Sequence, residues 1–194
     1  MGIPVKTPKF RAAFVKLKKP KPVSGNDDKL QYSLVALFAP GTDLSALKKA
    51  EAEALKAKFG AKAADVYKHP KYKSPFKDQV KDFVDKEGEP YKGQQAGGVF
   101  LNLGNEDRPA VFDQQLNEII DLRDFYSGCY AVAKADVYSW EHPTGGRGTT
   151  FSVLGVQKVA EGEPLSEQAG RASVSDFEPV EGAASGADAS SLFD

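Results

Sequence analysis

Covalent chemistry needs a nucleophile beside a base, or ligands that converge on a metal, and this chain offers little of either. Its 194 residues include one cysteine, Cys129, and two histidines, His69 and His142. Both histidines precede proline (His69-Pro70, His142-Pro143), which places them in solvated turns. One thiol and two imidazoles do not supply a zinc site of the usual type. Neither a G-x-S-x-G elbow nor a G-x-x-x-x-G-K-[ST] phosphate loop occurs, and Gly145-Gly146-Arg147-Gly148 is too short for a dinucleotide cradle. The carboxylates Asp82, Asp85, Glu87 and Glu89 are the place where a nuclease would hold Mg²⁺, but nothing in their spacing makes them converge. A solvated acidic loop is the simpler reading. No catalytic residue, metal or cofactor is expected.

Binding groups are more plentiful. Single-stranded nucleic acid is held by cations that track phosphates and by aromatic faces on which bases stack. The chain interleaves the two types twice. One group is Tyr67, Lys68, Lys71, Tyr72, Lys73, Phe76 and Lys77, in a long polar stretch; the other is Tyr130, Lys134, Tyr138, Trp140 and Arg147, on and beside a hairpin. The first group also reads as a solvated lysine-rich segment anchored by its rings, and the second as a second packed sheet face. Lys16, Lys18, Lys19 and Lys21 read as a charged loop; beside a groove, Lys16 and Lys18 would add phosphate contacts.

Strands must position most of these groups. Phe10–Leu17 alternates weakly and leads into a basic, proline-containing loop over Lys18–Asp28. Leu30–Phe38 is β-rich and ends at the Ala39-Pro40-Gly41 turn signal. Thr42 or Asp43 then caps the one convincing helix, Leu44–Phe59, with Leu44, Leu47, Leu55 and Phe59 near one face and Gly60 as its stop. Ala61–Gln95 shows no regular period, and a loop of that length is functional or mobile. Strands resume at Gly98–Leu103 and Arg108–Phe112; Val111–Leu122 has room for a short helical turn. The strongest signal is Phe125–Trp140. There Cys129, Ala131, Ala133, Ala135 and Val137 share one parity, while Tyr130, Val132, Lys134, Asp136, Tyr138 and Trp140 share the other. A glycine tip at residues 143–148, from which Arg147 projects, leads into the last strand, Thr149–Val159.

This pattern predicts a mainly β fold: a partly open Greek-key β-barrel of the oligonucleotide-binding (OB) type, with one helix and a long basic and aromatic loop. Periodicity alone leaves an immunoglobulin-like sandwich open. The domain is expected over residues 1–160, followed by an acidic, flexible, disordered tail over 161–194. The charge supports that division: the first part carries a net +6 and the second −7, against −1 for the whole. The tail is rich in Gly, Ala and Ser and closes on Leu192, Phe193 and Asp194. A basic body tethered to an acidic strand suggests a polyanion-binding protein that carries its own competitor. No run of 18 apolar residues occurs, and Met1–Pro22 lacks the apolar core of a secretory signal. The lone cysteine fits a reducing compartment.

Particular runs carry a resemblance. GEPYKG (Gly88–Gly93), RPAVFD (Arg108–Asp113), FYSGCYAVAKADVYSW (Phe125–Trp140) and GGRGTTFSVLGVQKVAEGEPL (Gly145–Leu165) resemble bacteriophage single-stranded-DNA-binding proteins. The likeness covers most of residues 8–165 and is strongest from Glu89 onward. It implies a non-enzymatic protein that coats single-stranded DNA during phage replication or recombination, in the cytoplasm of the infected host. It also implies that the tail, through Leu192, Phe193 and Asp194, docks replication or recombination proteins and lies over the DNA groove when DNA is absent. Weak duplex binding and a homo-oligomer are compatible with it. A virion structural or assembly protein is the main rival, and a Mg²⁺-dependent nuclease comes third.

Overall fold

The computed structural model describes residues 2–23, 26–143 and 146–165. Residues 192–194 and most of the acidic tail lie outside the described residues. The fold is mainly β, and among the described residues nine strands make one sheet. They are β1 (Ile3–Lys6), β2 (Phe10–Val23), β3 (Asn26–Phe38), β4 (Tyr72–Lys73), β5 (Lys77–Asp78), β6 (Val99–Asn105), β7 (Ala110–Phe112), β8 (Tyr130–Glu141) and β9 (Arg147–Ala160). Strand order is β1-β8-β2-β3-β6-β9-β4, and β8 also pairs with β9. The strands β8, β2, β3, β6 and β9 therefore run round a common core. Two seams in this circuit are thin: β2 meets β8 through the pairs Phe10↔Ala131 and Arg11↔Tyr130, and β6 meets β9, in parallel, through Leu103↔Phe151 and Gly104↔Ser152. The barrel is thus partly open rather than closed.

The parity expected for β8 holds. Ala131, Ala133, Ala135 and Val137 are buried, as is Cys129 just before them. Small side chains here leave room for Phe10, Phe38 and Phe151 inside the same core. The expected helix is α1 (Ser45–Phe59), which lies against β8 and β1 and buries Leu47, Ala50 and Ala54. Asp43 Oδ1 accepts the Ser45 amide at 2.9 Å, while Leu44 occupies the capping position itself.

Three segments differ from the sequence expectation. Lys18–Val23 and Asn26–Asp28 are strand rather than loop: β2 and β3 continue as a two-stranded ribbon, with Lys21↔Gln31 and Pro22↔Leu30 in register. Pro20 and Pro22 are tolerated because β2 meets β8 only at Phe10 and Arg11, so this stretch is a sheet edge. The Ala61–Gln95 segment holds a 3-10 turn (Gly60–Lys62), a second helix α2 (Ala63–Lys68), β4 and β5. Between Val111 and Leu122 no helical turn forms. Instead Asp113 Oδ1 accepts the amides of Gln115 and Asn117, both at 2.8 Å, and closes a side-chain turn.

Residues 161–165 are laid against the body. Tyr126 Oη lies 2.7 Å from Glu161 Oε2 and 2.8 Å from the Gly162 carbonyl oxygen. Arg11 Nη2 donates to the Glu163 carbonyl at 2.8 Å, and Lys92 Nζ pairs with Glu163 Oε1 at 2.8 Å. The Leu165 amide donates to Ser127 O at 2.9 Å, and its side chain packs on Ala13, Val35, Leu37 and Phe100.

Candidate nucleic-acid interface

The outer face of β3, β6 and β9 forms the floor of a cleft of about 410 Å³. Gln31, Ser33 and Val35 come from β3, Asn102 and Gly104 from β6, and Thr150 from β9. The β2–β3 ribbon lines it with Lys16 and Lys21, and β8 contributes Tyr138. Period-two geometry explains the polar floor: every second residue of these strands faces outward while Leu34, Leu101 and Leu103 fill the core. Lys16 and Lys21 form no ion pair among the described residues.

Each end of the cleft is aromatic. At one end Phe14 lies 5.0 Å from Phe83 and 5.0 Å from Tyr91, and Phe83 lies 4.9 Å from Phe100, all between ring centroids. Phe14 reaches this surface through a break in β2. Ala12 and Ala13 are both buried, the register with β3 shifts between Ala13 and Lys16, and Phe14 takes a left-handed φ of 48°. A bulky residue in that region is strained, and the strain turns a ring that would face the core to 39% exposure. Lys77 Nζ stands 6.0 Å from the Phe100 centroid.

At the other end Tyr138 is 46% exposed, and Trp140 follows two residues later on the same face. Lys73 Nζ lies 6.0 Å from the Trp140 ring. Lys29 marks this region too. It bonds Glu106 at 2.7 Å, and that carboxylate, with a smaller contribution from Tyr138, raises its pKa. Rings at both ends, amides and hydroxyls on the floor, and lysines along the ribbon together provide stacking, hydrogen-bonding and phosphate-pairing groups.

The sequence-derived residues divide accordingly. Lys16 and Tyr138 line the cleft, Trp140 and Lys73 extend it, and Lys77 lies by its far aromatic end. Arg147 borders Trp140 but pairs with Glu141 at 2.9 Å. Tyr72 turns inward: its hydroxyl lies 2.5 Å from Glu51 Oε1 and 3.0 Å from Thr149 Oγ1, and burial pushes its pKa far up. Tyr67 packs on Tyr72, with ring centroids 5.3 Å apart, and lies over the helices. Lys71 is exposed in the turn before β4. Tyr130 lies away from the cleft under Lys9, and Lys134 stands opposite Lys6 of β1. Lys18 does not line the cleft and lies within electrostatic reach of Asp121. Sequence reasoning missed Phe14, Phe83, Tyr91 and Phe100. The one available signal was the lapse of alternation at Ala12-Ala13-Phe14.

The carboxylates considered for Mg²⁺ serve their own backbone. Asp85 Oδ1 accepts the amides of Glu87 and Glu89, and Asp82 Oδ2 accepts that of Asp78. Among the described residues no group of three or more His, Cys, Asp or Glu side chains converges as a metal site. No helix among them is long and apolar enough to cross a membrane.

Residues 3–189 match the family model described as Enterobacter phage Enc34, ssDNA-binding protein. The chain belongs to that family. Among solved structures it is similar to the single-stranded DNA-binding protein from bacteriophage Enc34, at 23% identity over 90% of this chain and 89% of that one, with a TM-score of 0.59. The same phage protein in complex with ssDNA aligns at 21% identity, covering 84% of this chain and 90% of that one, with a TM-score of 0.62. The single-stranded DNA-binding protein gp2.5 of bacteriophage T7 aligns at 14% identity over 85% and 96% of the two chains, with a TM-score of 0.55. At these identities the structural likeness establishes a shared fold. A search of curated proteins returns no match.

Proposed function

We propose that this protein binds single-stranded DNA without sequence preference, in the cleft between the β2–β3 ribbon and Tyr138, and protects it during phage DNA replication or recombination. The observation that carries the reading is the cleft itself, with ring-bearing ends, polar groups on its floor and lysines that form no ion pair among the described residues. Every base has a π-face, so stacking at the two ends tolerates any sequence. Family membership supports the same ligand. The protein acts as a non-enzymatic coat in the cytoplasm of the infected host.

The acidic tail has two roles in this reading. Tethered at Leu165 beside the Phe83–Phe100 rings, it is held near its own cleft at an effective concentration of about millimolar and competes with DNA for the cations. Its Leu192, Phe193 and Asp194 recruit replication or recombination proteins. A titration of labelled oligo-dT and of a matched duplex, with full-length protein and with residues 166–194 removed, tests the proposal. Tight single-strand binding that strengthens without the tail supports it; no binding to oligo-dT at low salt in either form rejects it.

A further inference from the structure

The helical side of the molecule carries a second surface that the cleft does not use. Between α1 and α2 lies a groove of about 310 Å³, within the range of small ligand pockets, about 300–1,000 Å³. Its floor is apolar, made by Ala52, Leu55, Ala64 and the 54%-exposed ring of Tyr67. Lys48, Lys56 and Lys68 stand on its rim, and among the described residues none of them forms an ion pair. The one carboxylate there, Glu51, is buried and bonded to Tyr72, and burial raises its pKa, so it adds little negative charge to the groove.

An apolar floor ringed by cations asks for an occupant with adjacent apolar side chains inside an acidic context. This chain contains one. Leu192-Phe193-Asp194 ends a segment of net charge −7, and no other part of that segment places two large apolar residues side by side. The DNA cleft has apolar lining too, at Phe14 and Phe83, but interrupts it with Gln31, Ser33 and Asn102, whereas the groove floor is apolar throughout. Reach is ample: fully extended, the chain from Leu165 to Phe193 spans at most about 100 Å.

We propose that the α1–α2 groove receives Leu192-Phe193-Asp194 of the same chain. The placement deepens the tail's role as competitor and rests on the cleft being the DNA site only for that consequence. Leu165 is held beside Phe83 and Phe100 at one end of the cleft. The groove adjoins the other end, since Tyr67 packs on Tyr72, next to Lys73 and Trp140. A tail fixed at both points has its carboxylates strung along the cleft.

The test compares amide NMR spectra of the full-length protein with those of full-length Phe193→Ala. Shifts at Ala52, Leu55, Ala64 and Tyr67 that persist on tenfold dilution are expected. Shifts confined to the cleft around Ser33 and Tyr138, or no shifts, overturn the proposal. Shifts that vanish on dilution also overturn it, in favour of a second copy's tail. Ala64→Glu, at an exposed helix position, should erase the difference between the spectra with and without Phe193 and tighten oligo-dT binding several-fold; an undiminished difference rejects the groove. Groove shifts in a protein that ignores oligo-dT would sink the DNA reading while leaving the docking intact.

Discussion

Trp140 covers Gly148 so closely that a Cβ on the glycine would come within 2.7 Å of the indole Cζ2 and 2.8 Å of the Lys73 carbonyl oxygen. The two residues face each other in register across β8 and β9, so the missing side chain is what lets the indole lie against the strand and under Lys73. Gly148→Ala is therefore expected to push the indole outward and loosen β4. Overpacking of this kind costs about 1–3 kcal/mol, read by chemical denaturation. Oligo-dT affinity should fall together with stability, whereas Trp140→Ala should lower affinity by about 1–3 kcal/mol through lost stacking.

Phe14 offers the opposite separation. Phe14→Gly removes a ring from the cleft but also relieves a left-handed backbone conformation that glycine adopts freely. Oligo-dT binding should weaken by about 1–3 kcal/mol while the unfolding free energy stays within about 1 kcal/mol of wild type. Wild-type affinity in this variant would remove the Phe14 end from the DNA path.

Lys16, Lys21 and Lys73 are the cations best placed for phosphates. Single-strand affinity should fall with a log–log salt slope of about −0.7 for each phosphate neutralised, so three contacts give about −2. Lys16→Gln and Lys21→Gln should each flatten the slope by about 0.7, measured by anisotropy across a salt series.

Two truncations should behave differently. Removing residues 166–194 takes away the acidic competitor and should tighten oligo-dT binding with little change in stability. Removing residues 161–194 also strips Leu165 from Ala13, Leu37 and Phe100. That deletion should destabilise the body by about 1–2 kcal/mol, seen in denaturant unfolding. Equal stability of the two truncations would contradict the docking of residues 161–165.

The 161–165 segment should also respond to acid. Lys158 and Tyr126 hold the Glu161 carboxyl below the usual carboxylate range, and Lys92 does the same for Glu163. Both folded-state pKa values lie below the unfolded ones, so their contribution is complete above about pH 4.5 and is lost as pH falls through the lowered values. The Leu165 amide resonance should hold its bound position at neutral pH and move toward a random-coil shift below about pH 4. Glu163→Gln should start that movement at higher pH.

Where burial dictates residue type, the fold was legible in the chain. The Ala131–Val137 parity reports contact with one core; the helix spacing puts Leu47 in that core and Leu55 in a smaller cluster with Ala63 and Val66, and both elements formed as expected. The β2–β3 ribbon was not legible, because a strand pair outside the core needs no apolar alternation, and Pro20 and Pro22 look like loop residues. Tyr138, Trp140 and Lys16 were readable as candidate groups on an outward face from their parity or local charge. Phe14, Phe83, Tyr91 and Phe100 were not, since rings far apart in sequence meet only through tertiary contacts, and Phe14 faces outward only because its backbone departs from strand geometry.

The narrow β2–β8 and β6–β9 contacts carry an implication for synthesis. Phe10 finds its partner Ala131 late in translation, and Leu103 must wait for Phe151. Until β9 has left the ribosome, β6 and β8 present bare hydrogen-bonding edges to every neighbouring nascent chain, and such non-local pairings are slow to form. A premature stop anywhere before Ala160 would leave that vulnerability permanent, making aggregation rather than weak DNA binding the first sign of a shortened product.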